Sequence, residues 1–116
     1  MTIDLAQKKC QPCEGIGQAL TSEKVAELLK ETLDWQADNN GKSIFRNFLM
    51  KNFLAAVEFI NAIARIAEAE NHHPDIHLTG YRKLRVELST HALDGLSEND
   101  FILAAKINQL PGKFKT

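Results

Sequence analysis

The sequence predicts an α+β domain in which a four-stranded antiparallel sheet carries three helices on one face, in the order α-β-β-α-β-β-α. Apolar residues recur at helical spacing in three segments. Strand-like segments occur in two pairs, and each pair is joined closely enough to be antiparallel. The chain has 116 residues, of which 44% are hydrophobic and 25% charged, and these values fit a single globular domain.

The first helix follows an irregular N-terminal arm, residues 1–19, and opens a single domain that covers residues 20–113. Thr21 offers an N-cap, and Glu23 lies in the first turn, where the helix dipole favours a carboxylate. The apolar positions at helical spacing are Val25, Leu28, Leu29 and Leu33. We expect this helix to end near Leu33.

A hairpin follows the first helix. The run Asp-Asn-Asn-Gly at 38–41 is made of residues that tolerate positive φ and form turns. It predicts a short first strand at 35–37 and a second strand at 43–50.

The long segment 52–70 returns to helical spacing and carries two apolar stripes. The first stripe contains Phe53, Val57, Ile60, Ala64 and Ala67, and the second contains Ala56, Phe59, Ile63 and Ile66. One stripe is enough to cover a sheet. The wide face therefore indicates either packing against another subunit or a helix buried between other elements, and the sequence does not separate the two.

The second strand pair follows Pro74, which cannot continue the helix. "DIHLT" at 75–79 predicts a short strand, and "KLRVELSTH" at 83–91 alternates apolar and polar residues as a half-buried strand does. Ser97 and Asp100 have capping-box spacing at the start of the last helix. Its apolar stripe, which Pro111 and Gly112 terminate, contains Phe101, Ala104, Ala105, Ile107 and Leu110.

Charge and terminal sequence exclude several classes of partner. The net charge of −1 provides no basic surface for nucleic acid or anionic lipid. The longest apolar tract, 53–67, is interrupted by polar residues and is too short to span a bilayer. The N-terminus lacks the apolar core of a signal peptide, so we expect a cytoplasmic protein. Cys10 and Cys13 form one C-x-x-C without a second pair, which favours two reduced thiols in a surface segment over a metal or redox site.

Three of the four histidines occur within "NHHPDIH", and the fourth is His91. His72 and His73 fall at the predicted exit of the long helix, and His91 falls at the predicted end of the last strand. If the sheet brings these two ends together, three imidazoles share one site, and a free imidazole exchanges protons near neutral pH. Such a site suits a reaction made of proton transfers, for example the loss of water. His77 lies on a strand whose faces the sequence does not assign, so we interpret it as structural.

A metal site is the competing interpretation of the histidines. His73 and His77 have the i, i+4 spacing that holds zinc on a helix, but Pro74 breaks any helix between them. No carboxylate or cysteine completes a convincing ligand set, so the sequence does not favour a metal site.

The second half of the chain resembles the signature of the pterin-4a-carbinolamine dehydratase family. The matching positions are Glu68, His72, His73, Pro74, Tyr81, His91 and Asp100, and the "LDW" around Trp35 is also similar. The resemblance implies the α+β fold, and a homodimer or homotetramer in which sheets join edge to edge and long helices pack together. It implies dehydration of 4a-hydroxytetrahydropterin to quinonoid dihydropterin, which recycles the cofactor of aromatic amino acid hydroxylases.

The resemblance also implies site residues. The catalytic candidates are His72, His73 and His91, and the substrate-binding candidates are Glu68, Asn71, Ser89, Thr90 and Trp35. Asp100 is interpreted as a helix cap. Many members have an aromatic residue at the position of Ile76, one residue fewer before the tyrosine, and Gly-Gly-Leu at the position of 94–96. Two other roles known among relatives stay open: a dimerisation cofactor of a transcription factor, and a part in molybdenum-cofactor metabolism.

Overall fold

The computed structural model describes residues 4–11 and 17–115, which form three α-helices and a four-stranded antiparallel sheet. The elements are α1 (Ser22–Leu29), β1 (Gln36–Ala37), β2 (Ile44–Leu49), α2 (Phe53–Glu70), β3 (Asp75–Thr79), β4 (Lys83–Leu88) and α3 (Glu98–Asn108). Two 3-10 turns, Leu5–Gln7 and His91–Leu93, accompany them. The predicted fold class and the predicted order of elements are confirmed.

The sheet has the strand order β1-β2-β4-β3, so the long strand β4 lies inside it and β3 forms one edge. Its register places Ile44 opposite Leu88 and Ile76 opposite Val86. Alternate residues therefore face the helices, and the buried ones are Ile44, Phe48, Leu84, Val86 and Leu88. The predicted range of β3 is confirmed. The strand begins after Pro74 and ends before Gly80, where the chain turns with φ of 53°.

The two stripes of α2 have different environments. Ala56, Phe59 and Ile63 of the second stripe are buried in the core. Most of the first stripe is exposed or half-buried, and Phe53 keeps 56% of its surface accessible. The described part of this chain therefore does not enclose the helix. No helix of the described ranges is long and apolar enough to cross a membrane.

Helix α1 begins at the predicted N-cap, where the Thr21 side chain accepts a hydrogen bond from the Lys24 N–H. Its predicted end near Leu33 is wrong, because the helix stops at Leu29. The Thr32 hydroxyl donates to the carbonyl of Leu28, and the chain then reverses through a left-handed residue at Asp34. Leu33 consequently points to solvent, with 73% of its surface exposed.

Strand β4 also ends earlier than the sequence predicted, at Leu88 instead of residue 91. The Thr90 N–H donates to the carbonyl of Gly95, so the chain closes a small loop instead of extending the ladder. His91 opens the 3-10 turn inside that loop. The imidazole is thus carried by a turn and not by a strand.

The arm residues 4–11 pack against the domain. Leu5, in the first 3-10 turn, is 2% exposed and belongs to the hydrophobic core. Cys10 is half-buried instead of lying on the surface, and Cys13 lies outside the described residues. Burial, reinforced by the Glu70 carboxylate, raises the pKa of the Cys10 thiol to about 12.

Candidate active site

The end of α2 turns His72 into the protein. Asn71 adopts the left-handed conformation, with φ of 52°, and the His72 N–H then donates to the carbonyl of Ala67. This is the hydrogen-bond pattern of a helix C-terminus closed by a left-handed residue, a position that asparagine tolerates. The turn leaves Asn71 exposed and makes His72 the buried member of the histidine pair.

The His72 imidazole is held by a carboxylate of α3. Its Nε2 lies 2.6 Å from Oδ1 of Asp100, and the two side chains are 7% and 0% exposed. The sequence predicted Asp100 as a helix cap alone and missed this contact. The cap itself is present, since the Ser97 backbone N–H donates to Oδ2 of Asp100 at 2.9 Å.

The same carboxylate binds the end of the last strand. The Thr90 hydroxyl donates to Oδ2 of Asp100 at 2.8 Å, and a further 2.7 Å hydrogen bond joins it to the Ser97 hydroxyl. One buried carboxylate therefore connects the exit of α2 with the residue that precedes His91.

The hydrogen bonds around Asp100 bear on the tautomer of His72. Oδ2 accepts from two donors, and a carboxylate can only accept, so the contact at Oδ1 suits the His72 tautomer that carries its proton on Nε2. Among the described residues, Nδ1 of His72 has no hydrogen-bond partner, and no buried side-chain nitrogen or oxygen lacks one. The Nδ1 edge is the side of the ring that the Asp100 carboxylate leaves uncommitted.

His73 and His91 are both exposed, in contrast to His72. His73 pairs through Nε2 with Oε2 of Glu68 at 2.5 Å, and the side chains of this pair are 55% and 75% exposed. Glu68 therefore orients His73, which follows α2, and not His72. Such an exposed pair competes with water and leaves the His73 ring free to rearrange.

The remaining predicted residues divide into near and distant positions. Ser89 is half-buried directly after β4, whereas Thr90 is 1% exposed and has its hydroxyl committed to Asp100. Trp35 is 5% exposed and donates from Nε1 to Oδ1 of Asn108, the last residue of α3. Asp100 lies in the first turn of α3, about 12 Å away along the helix at 1.5 Å per residue. The structure does not bring Trp35 to the imidazoles.

His77 lies on the opposite face of the sheet from the helices. It is exposed on β3, and its neighbour across the ladder is Arg85. A surface depression of about 440 Å³ borders His77, Asn47 and Arg85 on that outer face. His77 is therefore separated from the other three histidines by the sheet.

The loop after His91 accommodates the departure at residues 94–96. Asp94 has φ of 49°, a left-handed conformation in which glycine is favoured and aspartate is tolerated. Gly95 is the more restrictive position, because a Cβ there would meet the Ala19 side chain at 3.0 Å. The position in this loop where space favours glycine is thus occupied by glycine.

No cluster of three or more His, Cys, Asp or Glu side chains arranged to hold a metal ion occurs among residues 4–11 and 17–115. The imidazoles of the described residues can exchange protons near neutral pH. His72 offers a fixed imidazole, and His73 and His91 offer two solvent-accessible ones.

Comparison with known proteins gives a consistent result. The family model for pterin 4 alpha carbinolamine dehydratase matches residues 18–110. A Legionella pneumophila protein, provisionally named pterin-4-alpha-carbinolamine dehydratase, is 50% identical over 111 residues, which cover 95% of this chain and 97% of that protein. Mitochondrial pterin-4-alpha-carbinolamine dehydratase 2 of Arabidopsis thaliana is 44% identical over 92% of this chain and 59% of that protein.

A solved structure supports the same assignment. The transcriptional coactivator/pterin dehydratase from Brucella melitensis superposes with a TM-score of 0.73 at 33% identity. The superposition covers 78% of this chain and 96% of that one. The likeness therefore includes most of the helices and strands described above.

Proposed function

Because this chain belongs to the pterin-4a-carbinolamine dehydratase family, we propose that it dehydrates 4a-hydroxytetrahydropterin to quinonoid dihydropterin and so recycles a pterin cofactor. The observation that carries the proposal is the Asp100 carboxylate, which binds His72 and Thr90 with its two oxygens. It links His72, which follows α2, to Thr90, which precedes His91 in the chain. We expect the reaction to occur in the cytoplasm and to need no metal or organic cofactor.

The reaction is a loss of water driven by two proton transfers. The bond between C4a and the hydroxyl oxygen breaks while a protonated imidazole donates to that oxygen, which leaves as water. The nitrogen lone pair at N5 forms the new double bond to C4a, and a neutral imidazole accepts the N5 proton. One imidazole gains the proton that another loses, so the site returns to its starting charge after a proton exchange with solvent. Such acid–base assistance contributes roughly 10²–10⁴-fold in rate.

We assign different tasks to the fixed and the exposed imidazoles. His72 is anchored at Nε2, so its Nδ1 edge holds the pterin or acts as the base. His73 and His91 lie on separate segments, and both are exposed, so each can serve as acid for one of the two hydroxyl stereoisomers. Ser89 and Asn71 are the accessible candidates for hydrogen bonds to the pterin edge, with Glu68 orienting His73.

We also propose that the chain forms a homodimer or homotetramer. In the described sheet, β3 is an edge strand of five residues, long enough to pair with a second copy, whereas β1 at the other edge has only two. The first stripe of α2 supplies an accessible apolar surface for a second contact. Both features agree with edge-to-edge sheets and packed long helices.

The direct test measures dehydration of a 4a-hydroxytetrahydropterin generated by a hydroxylase. We expect His73→Ala and His91→Ala each to slow the loss of the intermediate at least tenfold, because each variant removes one proton-transfer group. His77→Ala is the matched control, since it removes an exposed imidazole from the outer face of the sheet, and it should leave the rate unchanged. Full activity in both site variants would refute the proposal.

A second role is suggested by the Brucella structure, which is described as a coactivator as well as a dehydratase. A coactivator role would use the exposed first stripe of α2 rather than the histidines. Partner binding that is lost in Ala64→Glu and kept in His73→Ala would support it. If the chain is a dehydratase alone, no partner should bind, and His73→Ala should lower the dehydration rate while Ala64→Glu leaves it unchanged. The physiological pterin, including one of molybdenum-cofactor metabolism, is a separate question that substrate competition would answer.

A further inference from the structure

The N-terminal arm contacts both segments that carry the His72–Asp100 pair. The Cys10 backbone N–H donates to Oε1 of Glu70 at 2.8 Å, and Glu70 precedes His72 by two residues. The next residue, Gln11, binds Asn99, which directly precedes Asp100. The arm thus connects the end of α2 with the start of α3 at the level of the buried pair.

The contact with Asn99 is a reciprocal pair of hydrogen bonds. The Gln11 N–H donates to Oδ1 of Asn99 at 2.9 Å, and Nδ2 of Asn99 donates to the Gln11 carbonyl at 2.7 Å. The side chain of Asn99 is 2% exposed, so this amide is committed to one backbone residue of the arm. The Cys10 thiol adds a 3.7 Å contact to the Asn99 carbonyl.

Other arm contacts hold the segment in place without involving Glu70 or Asn99; one of them reaches Glu98, the first residue of α3. Leu5 is inserted into the core, and Nζ of Lys106 donates to the Ala6 carbonyl at 2.8 Å. Lys8 forms an exposed ion pair with Glu98 at 3.1 Å. The arm is therefore anchored by residues 5–8, and residues 10 and 11 make its contacts with Glu70 and Asn99.

We propose that Cys10 and Gln11 form a clamp across the α2–α3 junction, and that Asn99 is a positioning residue that keeps Asp100 in hydrogen-bond contact with His72. The consequence for rate rests on the proposed dehydratase function, whereas the consequence for the His72 ring does not. A fixed imidazole has its Nδ1 edge in one direction, and an angstrom of misplacement at a reacting group costs up to about 10²-fold in rate.

The clamp is tested on the full chain, without pterin, by the exchange of the His72 ring N–H with water. Asn99→Ala removes both bonds to Gln11, and we expect exchange at least tenfold faster. Backbone amides of β4 should keep their protection, which excludes global unfolding as the cause. Lys8→Ala is the matched control, because it breaks an arm contact that does not involve residues 70 or 99, and its exchange should be unchanged. Unchanged exchange in Asn99→Ala would overturn the clamp.

A second pair of variants, at Glu70, tests the clamp independently if Asn99→Ala does not fold. Glu70→Gln keeps the acceptor oxygen for the Cys10 N–H, and Glu70→Ala removes it. We expect faster His72 exchange in Glu70→Ala and recovery in Glu70→Gln, and equal exchange in the two would overturn the proposal. In the dehydration assay, Asn99→Ala and Glu70→Ala should each lower kcat about tenfold and leave KM within twofold of the native value. A native chain without dehydratase activity would refute the function while the exchange data still decide the clamp.

Discussion

His72 and Asp100 are 28 residues apart in sequence, and their side chains meet at 2.6 Å in the interior of the protein. The carboxylate that begins α3 also fixes the imidazole that ends α2. Carboxylate–imidazole contacts of this kind set the tautomer and the direction of the ring. The predictions below follow from this contact and from the surfaces around it.

Asp100→Asn separates the electrostatic role of this residue from its shape. An amide nitrogen facing Nε2 would act as a donor and force the other tautomer of His72, with the proton on Nδ1. We expect at least a tenfold lower kcat for dehydration and a changed pattern of His72 ring nitrogen shifts. Asp100→Ala should in addition destabilise the fold by about 2 kcal/mol or more, because the Ser97 N–H and the Thr90 hydroxyl lose a buried acceptor. Native rates in Asp100→Asn would show that the tautomer is irrelevant.

Trp35→Phe tests the sequence-based expectation that this indole forms a wall of the site. The structure places it at the far end of α3, bonded to Asn108. We expect a loss of about 1 kcal/mol in the free energy of unfolding, since a half-buried amide oxygen loses one donor and keeps the Arg46 guanidinium as the other. The value of kcat/KM should stay within twofold of the native one. A large rise in KM without loss of stability would instead place Trp35 against the pterin.

The Cys10 thiol should be unreactive near neutral pH. Its pKa is raised to about 12 by burial and by Glu70, so very little thiolate is present at pH 8. In a Cys13→Ser background, we expect alkylation of the folded chain to be at least a hundredfold slower than alkylation of the chain unfolded in denaturant. Equal rates would show that the arm opens freely.

The same thiol predicts how stability changes at high pH. The folded-state pKa of about 12 exceeds the ordinary thiol value of 9.0, so the folded chain retains this proton more strongly than the unfolded chain. The contribution is fully present below about pH 9 and is lost as the pH rises towards 12. The free energy of unfolding, measured with denaturant, should therefore fall more between pH 8 and pH 10.5 for the native chain than for Cys10→Ala. An identical pH dependence in the two chains would contradict this linkage.

Ala64→Glu tests assembly through the first stripe of α2. Residue 64 is exposed in the single chain, so a carboxylate there should leave the fold intact and oppose helix packing between subunits. We expect a lower molar mass by sedimentation equilibrium. Ala69→Glu places the same charge on another exposed position of the helix and should leave the mass unchanged. An unaltered mass in Ala64→Glu would exclude this surface as an interface.

Local rules were enough to predict most elements of the fold. The range of β3 is framed by Pro74 and Gly80, and the start of α1 is fixed by Thr21, whose effect depends on neighbours a few residues away. The errors occur at ends set by tertiary contacts. Leu33 matched the helical spacing, but Thr32 and the left-handed Asp34 end the helix first. His91 matched the strand alternation, but the Thr90–Gly95 contact closes the chain into a turn.

The site was predictable as a set of residue types and not as a set of contacts. Adjacent histidines before a proline predicted where the candidate site lies, whereas the partner of His72 depends on how α3 packs. The one available signal was Asp100 itself, because a capping carboxylate uses one oxygen for the helix and has another to offer. Trp35 was misplaced for the same reason, since its hydrogen bond to Asn108 is formed by packing between distant segments.

The double duty of Asp100 has an evolutionary consequence. Under the proposed function, a descendant of this chain that abandons dehydration can lose the exposed His73 and His91 at little structural cost, whereas loss of the carboxylate at position 100 would also destabilise the beginning of a buried helix. Retention of that acid across homologues is thus a mark of shared architecture. Only lineages that retain Asp100 together with His73 and His91 would be those in which the proposed dehydration is still under selection.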